Sequence, residues 1–132
     1  MCTNSCNECS RKIYSQSVTV VTVDGTDTLV IDVPAQVFQN GQRGCIVITQ
    51  NLPVGATIFM PVAISIGGVT TTVYNVTNNC CEPVTASMLR TRRRYPFVVR
   101  IGANDAIFKI TKNLSCAANN NLATIPVAEG GG

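Results

Sequence analysis

Apolar and polar residues alternate with a period of two through most of the chain from Val18 to Thr111, and no stretch repeats convincingly at the helical period of 3.6. Residues 18–23 and 28–33 are Val/Thr/Ile-rich runs on either side of Asp24-Gly25-Thr26-Asp27. That arrangement predicts a hairpin, because Asp-Gly accommodates the positive φ of a tight turn. Pro34 stops the second strand, Gln39-Asn40-Gly41-Gln42 makes another turn, and residues 45–49 form a short apolar strand. In residues 57–66, Ile58, Met60, Val62, Ile64 and Ile66 fall on one face. Pro61 interrupts this strand's ladder, so an edge position or a bulge is expected there.

Gly67-Gly68 closes a two-residue hairpin into residues 69–76, and Gly102–Asp105 links residues 96–101 to 106–111. Residues 82–91 have room for one helical turn or a long crossover, and residues 123–127 read as a last short strand. About eight strands with three hairpins predict an all-β domain, an antiparallel β-sandwich of jelly-roll or immunoglobulin-like type. The strand count tilts the choice toward the jelly roll. The organisation is a Cys-rich N-terminal arm over residues 1–16, the sandwich over 17–128 and a Gly-rich C-terminus over 129–132.

A length of 132 residues suits one compact domain. Charged residues are 13% of the chain, about half the usual share of roughly 25%. So little charge suggests surface covered by neighbouring subunits, with an extracellular-style polar surface as the equal alternative. The net charge of +3 is unevenly spread, since Arg90, Arg92, Arg93 and Arg94 fall within five positions. This run is a candidate contact for an acidic protein patch or phosphate. Nucleic acid is the less favoured partner, because little aromatic interleaving and no reader motif accompany it.

The seven cysteines are Cys2, Cys6, Cys9, Cys45, Cys80, Cys81 and Cys116. An odd number leaves at least one free, metal-bound or paired with another chain. Cys45, in an apolar strand, reads as a small buried hydrophobe; the other six are cross-link or metal candidates. Cys2-x3-Cys6-x2-Cys9 has the spacing of a radical-enzyme [4Fe-4S] site, but the short all-β chain is the wrong context. Zinc held by Cys6, Cys9 and two further thiols is the alternative, although adjacent Cys80 and Cys81 are poor partners for one ion. Disulfides within or between subunits are the leading account, and no cofactor is expected.

Catalysis finds little support. The chain has no histidine, so Ser-His and Cys-His pairs are excluded. Asp24, Asp27 and Asp105 sit in turns, where aspartate commonly bonds the backbone, and Asp32 is expected to face solvent. No carboxylate pair suggests glycosidase work. Asn75-Val76-Thr77 and Asn113-Leu114-Ser115 match the glycosylation pattern, by chance on this reading. No apolar run is long enough for a membrane helix, and the opening residues lack a signal peptide's apolar region. Synthesis in the cytoplasm without conventional export follows as the expectation.

The opening Met-Cys-Thr-Asn-Ser-Cys-Asn-Glu-Cys, the all-β body and the Gly-rich end resemble the small virion proteins of tailed bacteriophages, particularly capsid decoration or head-fibre proteins of gut phages. The resemblance is one of overall style and transfers no functional residue. It implies a β-sandwich subunit on the virion surface, bound to other particle subunits as part of a homo-oligomer, with no membrane partner. A Cys-bearing connector ahead of a jelly roll is also similar to subunits of bacterial spore appendage fibres. That likeness implies a self-assembling fibre cross-linked through N-terminal cysteines. A surface-binding module that reads a glycan through its loops is a third class, weakened by the absence of Trp.

Overall fold

The turn chemistry places the hairpins where the sequence predicts them. The computed structural model describes residues 11–114. Strands β2 (Ser17–Val23) and β3 (Thr26–Val33) are joined by Asp24 and Gly25, both at positive φ (49° and 79°). Strands β5 (Val62–Ile66) and β6 (Val69–Thr77) are joined by Gly67 and Gly68, at φ 63° and 80°. Strands β7 (Arg94–Ile101) and β8 (Ala106–Ile110) form the third hairpin, closed by the Gly102 N–H to the Asp105 carbonyl at 2.8 Å. The remaining strands are β1 (Lys12–Tyr14) and β4 (Arg43–Val47). Between β6 and β7 the chain makes one 3₁₀ turn at Ala86–Met88, within the segment read as a helical turn or crossover.

These eight strands form one curled half-barrel sheet in the order β1-β4-β7-β8-β6-β5-β3-β2. The pairing is mixed where an antiparallel sandwich was expected: β1 with β4, β3 with β5 and β6 with β8 are parallel. Crossovers bring those partners together, and a pattern of local hairpins carries no record of them. β1 lies within the segment assigned to the arm, so the sheet begins five residues earlier than the boundary at residue 17 suggests. The strand expected at residues 123–127 lies outside the described residues.

The strand expected to run from residue 57 is shorter at its start. Residues 53–60 turn back on themselves, with the Ala56 N–H on the Pro53 carbonyl and the Met60 N–H on the Thr57 carbonyl. Ile58 is consequently exposed, whereas Met60, Val62 and Ile64 keep the inward face. Pro61 immediately precedes β5 and accepts the Leu29 N–H through its carbonyl, so its missing donor is tolerated without an edge position. The register shift in this hairpin falls between Ile64 and Ile66.

The sheet's concave side holds the core, which includes Leu29, Ile31, Ile46, Val62, Ile64, Tyr95, Phe97, Val99, Phe108 and Ile110. Phe38, Phe97 and Phe108 pack as a ring cluster, with centroids 5.1 to 6.2 Å apart. Val30, Cys45, Ala63 and Val98 alternate with these residues and are buried as well. Strands buried on both faces read as continuous apolar runs, which is the usual company of parallel pairing.

The two outer strands of the sheet are consecutive in sequence. β1 and β2 are separated by Ser15 and Gln16 alone, and the chain crosses there from one sheet edge to the other. The Ser15 N–H donates to the Val47 carbonyl at 3.0 Å on the β4 side, and the Gln16 N–H donates to the Asp32 carbonyl at 2.8 Å on the β3 side. Buried Ser15 adds further bonds: its Oγ accepts the Thr49 N–H and donates to Gln50, and its carbonyl accepts Thr49 Oγ1 and Gln50 Nε2.

Gly44 lies on β4 packed between the Arg11 backbone and the Phe97 ring. A Cβ there would lie 2.9 Å from the Arg11 carbonyl oxygen and 3.1 Å from the Phe97 ring. Gly44→Ala is expected to lower stability by about 1–3 kcal/mol through overpacking. Urea unfolding checks this, and an unchanged midpoint would contradict the packing described.

Candidate functional site

The arginine run divides into one structural member and three outward ones. The Arg90 N–H donates to the Tyr95 hydroxyl at 2.7 Å, and Arg90 Nη1 donates to the carbonyls of Ser87 (2.8 Å) and Leu89 (2.9 Å). Arg90 therefore closes the 3₁₀ turn onto its own loop. The loop is anchored further by the Arg92 N–H on the Ile48 carbonyl and by Asn113 Nδ2 on the Arg94 carbonyl, both at 2.7 Å. Arg92 adopts a left-handed φ of 68°, which turns the chain into β7. With the backbone held this way, Arg92, Arg93 and Arg94 are all exposed. Burial pushes the Tyr95 phenol above its ordinary pKa, against the Arg90 N–H and the nearby Arg93 and Arg90 charges.

Of the cysteines proposed as cross-link or metal candidates, Cys80 and Cys81 fall within the described residues. Cys2, Cys6, Cys9 and Cys116 lie outside them. Cys80 and Cys81 occupy a turn built by Asn78, whose side chain is fully buried. Asn78 Oδ1 accepts the N–H groups of Cys80 (2.9 Å) and Glu82 (3.0 Å), while its Nδ2 donates to Glu82 Oε1 (2.9 Å). This network puts Cys81 in a left-handed conformation, φ 62°, with an exposed free thiol. Cys45 is 0% exposed, as a small hydrophobe should be. It is nevertheless engaged in a further interaction, as is Cys80. Among the described residues, no three His, Cys, Asp or Glu side chains gather as a metal site.

Asp32 corrects the expectation of a solvent-facing carboxylate. It points to the sheet's outer face, as alternation requires, yet is only 6% exposed. Its Oδ1 accepts the Ser65 hydroxyl at 2.6 Å and the Gly68 N–H at 2.8 Å, and its Oδ2 accepts Gln16 Nε2 at 2.7 Å. Burial alone would raise its pKa, but the bonds from Ser65, Gln16 and Gly68 prevail and hold it below the ordinary value. The carboxylate thus ties the seam residue Gln16 to the β5–β6 turn. Its neighbours are all hydrogen-bond donors and the one hydroxyl among them, that of Ser65, is fully buried, so this is a structural network.

Apolar hollows open among the described residues. One of about 270 Å³ is lined by Val37, Phe38, Ile66, Tyr74, Ile101 and Phe108. Another, about 200 Å³, includes Leu52, Pro53, Ile58, Leu89 and Arg90. Neither lining contains a carboxylate or a thiol. No helix among the described residues is long and apolar enough to cross a membrane.

Four cations missed by the sequence reading share one sheet face with Arg94. Lys12, Arg43, Arg94, Arg100 and Lys109 all occupy positions alternate to core residues on β1, β4, β7 and β8. Alternation within β7 was a usable signal for Arg94 and Arg100; bringing in Lys12, Arg43 and Lys109 required the strand register. Comparison of the chain with protein-family models, curated proteins and solved structures gives no match.

Asp32→Asn places an amide NH₂ among the Ser65, Gln16 and Gly68 donors, and is expected to cost about 1–3 kcal/mol at neutral pH. In the parent protein the unfolded chain takes up this proton at higher pH than the folded one. The Asp32 contribution is therefore complete above the unfolded value of about 3.9 and is lost as pH falls toward the lowered folded value. Unfolding curves from pH 7 to 2 should show that decline in the parent and a shallower one in the variant; identical slopes would contradict it.

Proposed function

We propose that this chain is a structural subunit of a larger particle, a capsid decoration or fibre-associated component of a virion, and not an enzyme. The distribution of thiols carries the reading. We take the engaged sulfurs of Cys45 and Cys80 to be disulfides, and Cys81, next to Cys80 in the chain, is a free, exposed thiol held on a turn anchored by Asn78. Cys2, Cys6, Cys9 and Cys116 supply further sulfurs for bonds within the chain or to a neighbour, and the odd total suits covalent attachment. The described polar clusters, around Ser15, Asp32 and Asn78, support the same reading, because each satisfies backbone and side-chain donors, and the hydroxyl that meets a carboxylate, Ser65 on Asp32, is fully buried.

In this role the curled sheet is the rigid block, and the Cys-rich arm with the exposed arginines fastens it to its neighbours. The free Cys81 thiol also favours the second reading, a self-assembling appendage fibre whose subunits are linked through cysteines.

The two readings share a test. Full-length protein purified without reductant is expected to run as covalent multimers on non-reducing gels and to collapse to the 14.0 kDa chain on reduction. Cys81→Ser should shorten the ladder if this thiol is a linking site. A chain that is monomeric by mass photometry, with or without reductant, and binds no particle would contradict the proposal.

A further inference from the structure

The outer face of β1-β4-β7-β8 is a basic plane. Cross-strand register orders it in rows: Tyr14, Val47 and Arg94; Lys12, Cys45 and Pro96; Arg43, Val98 and Lys109; then Arg100 and Ile107. None of these outward positions carries a carboxylate. Lys12, Arg43, Arg94 and Arg100 are exposed and Lys109 is half-buried, around a buried apolar strip of Cys45, Pro96 and Val98. Arg43 and Lys109 flank Val98 from opposite sides, two strand spacings or about 10 Å apart. From Arg94 to Arg100 the plane extends about 20 Å along β7, and the exposed Arg92 and Arg93 prolong it. The outward positions of β2, β3 and β5 contrast sharply, with Ser17, Thr19, Thr28, Ala63 and Ser65, and buried Asp32 as their charge.

We propose that this basic plane docks the phosphate backbone of duplex nucleic acid, without reading sequence. Charge complementarity is the first ground: at least five cations on one rigid face, extended along one direction, match a linear array of phosphates. Composition decides between partners. A protein interface of this size centres on aromatic or aliphatic anchors and is depleted of charge at its core. This plane offers its charges directly, and its sole aromatic position, Tyr14, lies at the β1 edge. Single strands need stacking platforms, which the rows also lack, so a duplex is the better fit. The inference does not rest on the structural role proposed above; it gives Arg92, Arg93 and Arg94 a nucleic-acid partner in place of a neighbouring subunit, and it reverses the lower rank given to nucleic acid from the arginine run alone.

Fluorescence anisotropy with a labelled duplex of about 20 base pairs tests it on the full-length protein, with parallel single-stranded DNA and poly-glutamate arms. Duplex binding is expected at about 50 mM salt and should weaken about 100-fold or more by about 200 mM. The triple variant Arg43→Gln, Arg100→Gln, Lys109→Gln should keep its melting temperature and flatten the log–log salt slope by about 2 to 3. Thr19→Gln, on the uncharged face, should change neither. Absence of duplex binding at low salt, or duplex binding unaltered in the triple variant, overturns the proposal. Preference for poly-glutamate assigns the plane to an acidic protein instead, and tighter binding of single strands overturns the duplex assignment.

Discussion

The crossing of the chain at Ser15 and Gln16 is the constraint on which the rest of this fold depends. An eight-stranded sheet ordinarily leaves two rows of unpaired backbone groups at its edges. Here those edges are β1 and β2, and two residues join them. One amide of the junction is committed to β4 and the next to β3, so the sheet must curl for both bonds to form. Curling encloses Leu29, Ile64, Phe97 and Phe108, whose burial in turn supplies the apolar driving force. The polar groups at the junction are satisfied by Thr49, Gln50 and Asp32, which is why buried Ser15 and Asp32 are tolerated there.

Much of this was legible in the residues. Asp24-Gly25 and Gly67-Gly68 specify their turns through φ, a local property, and Pro34 marks the end of β3 by its lack of an N–H. The crossovers were not legible. The partners of β3 and β5 are adjacent in space because the chain between residues 34 and 61 leaves and returns, and no local pattern records where it returns. Ile58 shows the limit of alternation: it continues the pattern of Met60, Val62 and Ile64, but the turns at Pro53 and Thr57 take the chain off the sheet before that pattern can be used.

The candidate surfaces divide along the same line. The arginine run is visible as a string, although its first member is spent on the carbonyls of Ser87 and Leu89. The wider basic plane exists only once register sets Arg43 and Lys109 on either side of Val98. Asp32 was placed on the right face by alternation, but its burial depends on Ser65 and Gly68, more than thirty residues away. The turn bearing Cys80 and Cys81 likewise depends on the fully buried Asn78, a residue whose composition-level signal is merely that of a loop.

Hydrogen exchange at the junction tests the central claim most directly. If Ser15 and Gln16 hold the two edges together, their amides should exchange only through global unfolding, with the same protection as Leu29 and Ile46 in the core strands. Exchange of those two amides through a low-energy local opening, while β3, β4 and β5 stay protected, would show that the sheet holds its curl without the crossing and would contradict the account.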